Sequence, residues 1–178
     1  MHPDGSVWFT DPTFGIRGNY EGFKAESELP PAVYRVDARS GQIAKVSDEF
    51  GQPNGICFSP DYKRLYVADT GENRVTRVFD LDGAAARNGR LFVKLDIPGT
   101  GALAYADGIR CDVDGNVWAG ARPGVQVIAP NGDRIGMIRL PEACANVCFG
   151  GPRRNRLFMA ASQSLYSVFV GTTGAHIA

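Results

Sequence analysis

Apolar residues in this chain come in runs of four or five, often alternating with polar ones and broken by glycine, proline, asparagine and aspartate. That texture predicts many short strands joined by turns. No window of about 11 residues carries the apolar stripe of a helix. The segment Gly83-Ala-Ala-Ala-Arg-Asn88 has room for one helical turn.

The predicted strands group into units. One unit is expected over Asn54–Ser59, Arg64–Asp69, Arg74–Leu81 and Arg90–Leu95. The next is expected over Asp107–Val113, Asn116–Gly120, Gly124–Ile128 and Arg134–Leu140. Ser6–Thr10, Ala32–Asp37 and Gln42–Val46 read as a preceding unit entered at its second strand. Asn146–Phe149, Arg156–Ala160 and Leu165–Val170 read as a following unit without its outermost strand.

The wording of the units repeats too. Asn54-Gly-Ile-Cys-Phe-Ser-Pro-Asp61 precedes Arg64-Leu-Tyr-Val-Ala-Asp69, and Asp107-Gly-Ile-Arg-Cys-Asp-Val-Asp-Gly115 precedes Asn116-Val-Trp-Ala-Gly120. A weaker copy begins at Asn146-Val-Cys-Phe-Gly-Gly151. Turn residues such as Asp4-Gly5 and Asp114-Gly115 introduce returning strands that carry Trp8, Tyr66, Trp118 and Phe158. These aromatics recur every 40 to 58 residues or so, a spacing that suits propeller blades. Residues 1–178 therefore read as all-β, one part of a single propeller domain, with three to four blades of four-stranded antiparallel sheet. At least two blades of the ring are expected to be absent from it. An open arc leaves apolar end faces bare, which invites self-association through exposed blade edges.

Bulk properties narrow the function. With 19 basic and 19 acidic residues the formal charge is zero, so nucleic acid is not an expected partner. No apolar run approaches a membrane span. Met1-His-Pro-Asp-Gly5 has no signal-peptide pattern, and the compartment stays open between cytoplasm and periplasm. Cys57, Cys111, Cys144 and Cys148 lack metal-knuckle spacing and read as buried free thiols. His2 and His176 lie near the ends and read as inert. Asp112-x-Asp114-Gly lacks the glutamate of a calcium loop and reads as a turn, as does Asp80-x-Asp82-Gly.

Candidate chemistry lies at the head of each innermost strand. Asn54, Asp107 and Asn146 would converge on one end of the central channel, where carboxylate and amide oxygens suit a hard divalent cation. Asn-Gly and Asp-Gly also make ordinary turns, so the dipeptides alone do not decide. Between Thr13 and Pro31 a long loop without strand pattern carries Arg17, Asn19, Tyr20 and Glu21, placing it as a channel-mouth loop or a solvated one. Asp11 ends a strand near the same mouth.

These phrases, with Asp4-Gly-Ser-Val-Trp-Phe-Thr-Asp-Pro-Thr-Phe-Gly15 and Gln52-Pro-Asn-Gly55, resemble the gluconolactonase family, also called SMP-30/regucalcin-like lactonases. The resemblance covers nearly the whole chain and implies part of a six-bladed propeller, matching the family's middle and C-terminal portion. It implies Asn54 and Asp107 as metal ligands, with calcium favoured over zinc, manganese or magnesium, and a small lactone as substrate. Asp107 would act as catalytic base, while Asp11, Arg17, Tyr20, Glu21 and Asn146 would be substrate contacts or supports. The family's N-terminal glutamate ligand and an Asn-Asp phrase are not in this sequence, which is expected of a truncated or internally initiated product. The reaction implied is metal-dependent opening of sugar lactones to aldonic acids. A non-catalytic binding segment and a related propeller esterase or phosphotriesterase are the competing readings.

Overall fold

The computed structural model describes residues 1–176. Within them, fourteen strands build four antiparallel sheets, each a meander in which sequence neighbours pair. The first sheet holds β1 (Val7–Asp11), β2 (Ala32–Val36) and β3 (Ile43–Ser47). The second holds β4 (Pro53–Phe58), β5 (Arg64–Asp69), β6 (Val75–Asp82) and β7 (Ala85–Val93). The third holds β8 (Ile109–Cys111), β9 (Val117–Ala121), β10 (Gly124–Ile128) and β11 (Arg134–Arg139), and the fourth β12 (Cys144–Gly150), β13 (Arg156–Ala161) and β14 (Leu165–Phe169). The expected pattern of three, four, four and three strands is the one observed.

Four sheets enclose three apolar layers, so every blade junction is a separate core. Trp8 and Val33 pack with Phe58, Leu65, Val67 and Phe79 between the first two sheets. Tyr66 and Val78 pack with Ile109, Val117 and Ala119 between the second and third. Trp118 and Val125 pack with Val147, Phe149, Leu157 and Met159 between the third and fourth. The hairpin aromatics do the bridging: Trp8 meets Phe58 edge-on at 5.6 Å, and Trp118 meets Phe149 at 5.5 Å. Phe158, in the last copy, is half-buried. The outermost strands leave Ile43, Leu165 and Phe169 exposed, as an unclosed arc requires.

The innermost strands carry the function-bearing positions. β4 packs on β1 and β8, and β8 packs on β12. Three pairings put equivalent residues at equal depth: Cys57 faces Tyr66, Arg110 faces Trp118, and Cys148 faces Phe158.

Several local expectations need correction. Gly83–Asn88 makes no helical turn; Ala85 and Ala86 pair with Asp82 and Leu81 to begin β7. Gly83, at φ +58°, opens the two-residue hairpin that forces this pairing, and cross-strand bonds override alanine's helical preference. β8 is shorter than its apolar pattern, since the backbone on either side turns to other partners. Cys57, Cys111 and Cys144 are buried free thiols, but Cys148 is exposed because it faces the inner opening. The two histidines are not loose ends. His2 lies 5.3 Å from Tyr62, ring to ring, and His176 4.1 Å from the same ring. Asp112 does form a turn, accepting from the Asp114 and Asn116 amides, the Asn116 side chain and the Trp118 indole.

Candidate functional site

Each inner strand opens on a β-bulge, and the residues marked by the repeat sit on these bulges. In β4, Pro53 pairs with Asp69 and Ile56 with Val67, so the Asn54-Gly55 stretch holds an extra residue. In β12 the extra residue is Ala145, directly before Asn146. Ahead of β8, the Gly120 carbonyl accepts from the Asp107 amide at 2.8 Å, while the Gly120 amide donates to the Gly108 carbonyl at 2.9 Å. Two residues again face one. A bulge re-aims side chains at the end of a strand, which is what a shared site needs.

The bulges are linked blade to blade. The Thr10 hydroxyl donates to the Asn54 carbonyl at 2.7 Å. The Gly55 amide donates to the Asp107 carbonyl at 3.0 Å, and the Gly108 amide to the Ala145 carbonyl at 2.7 Å. Glycine is required at both donors. A Cβ on Gly55 would stand 2.0 Å from the Asp107 carbonyl oxygen, and one on Gly108 would stand 2.1 Å from Asn146 Oδ1. The repeated Asn-Gly and Asp-Gly phrases are inter-blade contacts, not hairpin turns.

This arrangement brings the Asn54 side chain near enough to the Asp107 carboxylate to favour its charged form. Burial pushes the Asp107 carboxyl above its ordinary range; the nearby Asn54 side chain opposes that, and the charge of Glu21 adds to it. No Lys or Arg forms an ion pair with Asp107 among the described residues. Asn146 joins the same mouth on the far side of Gly108, its Oδ1 capping the Val147 amide at 2.9 Å. Glu21 reaches Asp107 electrostatically, while Arg17, Tyr20 and Glu21 are all exposed, with Tyr20 98% accessible. Asp11 ends β1 opposite Ala32, and its charge is felt by Tyr34.

Two supports were not singled out from sequence. Asp69, buried at the end of β5, accepts from the amides of Gly51, Gln52 and Gly71 at 2.8–2.9 Å. Gln52 accepts from Thr13, tying the start of the long loop to the segment that delivers Asn54. Their only sequence signal was position, just beside the repeated phrase. Inward from the mouth runs a cleft of about 390 Å³ between β4, β8 and β12, with Asn54 and Asn146 at one end and Phe58 and His176 at the other.

A carboxylate that is half-buried, lacks a cationic partner and lies near a side-chain amide fits a divalent cation, because hard oxygens in a desolvated setting favour one. A half-turn of the Asn54 amide presents its oxygen in place of its NH₂. No group of three or more His, Cys, Asp or Glu side chains is set to hold a metal among the described residues. Asn54 and Asp107 therefore fit part of a ligand set.

Radial sheets with oxygen-bearing bulges at one end of the axis define a β-propeller with a channel-mouth site. A sequence profile described as the SMP-30/Gluconolactonase/LRE-like region matches residues 1–163, and the chain belongs to that family. It is similar to the gluconolactonase of Zymomonas mobilis, 28% identical over 176 residues that cover 96% of this chain and 49% of that one. The solved gluconolactonase of Xanthomonas campestris superposes with a TM-score of 0.86 at 30% identity, covering 94% of this chain and 54% of that one. The calcium-binding protein regucalcin of Agrobacterium tumefaciens superposes with a TM-score of 0.70 at 26% identity, covering 92% and 52%. The chain spans about half the length of the relatives it matches.

Proposed function

We propose that this chain carries the cation-holding half of a lactone hydrolase site, within the C-terminal portion of a six-bladed propeller. The observation that carries the reading is the Asn54 amide against an unpaired, half-buried Asp107 carboxylate at adjoining bulges. Likeness to a gluconolactonase over 96% of the chain supports a sugar lactone as substrate. Likeness to regucalcin, a calcium-binding protein, supports calcium first, with magnesium, manganese and zinc as further divalent candidates.

Asn54 and Asp107 would hold the cation, and blades beyond these four would complete its ligands. When bound, the cation supplies Lewis-acid polarisation of the lactone carbonyl. Asp107 would take a proton from the attacking water at a carboxylate oxygen. Asn54 is neutral and only orients. Glu21, exposed on the long loop, acts on Asp107 through its charge.

The test is proton release from gluconolactone with each cation in turn, alongside calorimetric titration of calcium. Calcium-dependent turnover that falls at least about a hundredfold in Asp107→Asn is expected. Turnover unchanged by that substitution would sink the base role, and a folded chain with neither uptake nor turnover would favour a binding segment.

A further inference from the structure

The repeat places Cys57, Arg110 and Cys148 at the same depth around the axis, each opposite the aromatic of its returning strand. Two of the three are small and uncharged; the third projects a guanidinium. All three line the cleft beneath Asn54 and Asn146. Arg110 is half-buried, and its one hydrogen bond among the described residues runs from Nη1 to the Ile109 carbonyl at 2.7 Å. Arg154, also half-buried, lines the same wall. Neither forms an ion pair among the described residues, although eight other pairs do form on this molecule.

The cleft has no aspartate or glutamate among its described lining residues. An arginine with most of its donors free, in a partly desolvated and acid-free wall, is an anion-recognition group, because its planar fork matches a carboxylate. Arg110 lies on β8, below the bulge that carries Asp107, and its side chain lines the cleft.

We propose that Arg110 is a specificity-determining residue that binds the carboxylate of a sugar acid inside the cleft. The identity of the acid rests on the lactone reading above. The carboxylate belongs either to the far end of an acid-bearing lactone or to the aldonate that hydrolysis produces.

Tryptophan emission, to which Trp8 in the cleft wall contributes, is titrated in metal-stripped buffer with glucarate, gluconate and neutral glucose. Calorimetry checks each dissociation constant. Both acids should bind at least about tenfold more tightly than glucose. Arg110→Gln should remove that preference, Arg110→Lys should keep most of it, and added salt should weaken it. Glucarate tighter than gluconate assigns the site to an acid-bearing substrate; equal binding assigns it to the product carboxylate. Acids no tighter than glucose, or a preference that survives in folded Arg110→Gln, would overturn the assignment. Asp107→Asn should leave acid binding intact, so hydrolysis lost with acid preference retained counts against the hydrolase reading alone.

Discussion

The Gly55 amide donates to the Asp107 carbonyl at 3.0 Å, and a Cβ at Gly55 would stand 2.0 Å from that same oxygen. The bond that joins two blades at the candidate site thus excludes any side chain from one of its partners. Gly55→Ala should destabilise the chain by about 2–4 kcal/mol, since backbone on both sides must part. Gly108→Ala meets the end of the Asn146 side chain, which can swing away, and the Asn146 Cα at 2.9 Å, which must shift only slightly, so a smaller loss of about 1–3 kcal/mol is expected. Urea unfolding midpoints of the two variants check the order; an equal or reversed order would refute it.

Strand order, blade number and the Asn54–Asp107 pairing were legible because each depends on a local phrase repeated along the chain. Val, Ile and aromatics at alternate positions fix which face is buried, and that survives any loop length. The bulges were not legible, because a bulge is a relation between two strands and only one of them carries the mark. A turn stayed open as an alternative at Gly55 for that reason; its neighbour across the blade junction is Asp107, more than fifty residues away. Asp69 escaped for the same cause, its three amide partners lying in two separate loops. Hairpin geometry likewise overruled composition at Ala85 and Ala86.

Asp112 is a carboxylate of another kind, fully buried and saturated by two amides, the Asn116 side chain and the Trp118 indole. Asp112→Ala leaves those donors without an acceptor under the third blade. A loss of about 3 kcal/mol is expected, larger than for any exposed aspartate. Denaturant unfolding checks this, and the near-ultraviolet signal of Trp118 should broaden at the same time.

Thiol reactivity should separate the four cysteines by place. Burial pushes the Cys57 thiol well above its usual range, Cys111 up to about 12 and Cys144 up to about 11. Almost no thiolate exists at these three near pH 8, and solvent hardly reaches them. Cys148 is exposed. Titration with a chromogenic disulfide should label one thiol per native chain and four after unfolding. Rapid labelling of two or more in the native state would refute the buried placement.

Asp4 links the first hairpin to the second strand, and its carboxylate sets an acid limit on that sheet. Burial raises its proton affinity, but the Ser6 hydroxyl at 2.6 Å, the Ser6 amide at 2.8 Å, His2 and Arg35 together outweigh this and hold it well below the ordinary 3.8. A depressed folded-state value means the unfolded chain binds the proton more readily. The stabilisation is therefore whole above about pH 5 and is lost as pH falls through the ordinary value toward the folded one. Asp4→Ala should melt below the unsubstituted chain near pH 6, and the gap should narrow progressively toward pH 2. His2 lies against the same carboxylate, so His2→Ala should shift the midpoint of that narrowing upward. Melting temperatures measured across this range decide the matter: a gap that stays constant to the lowest pH would show that Asp4 acts only through packing.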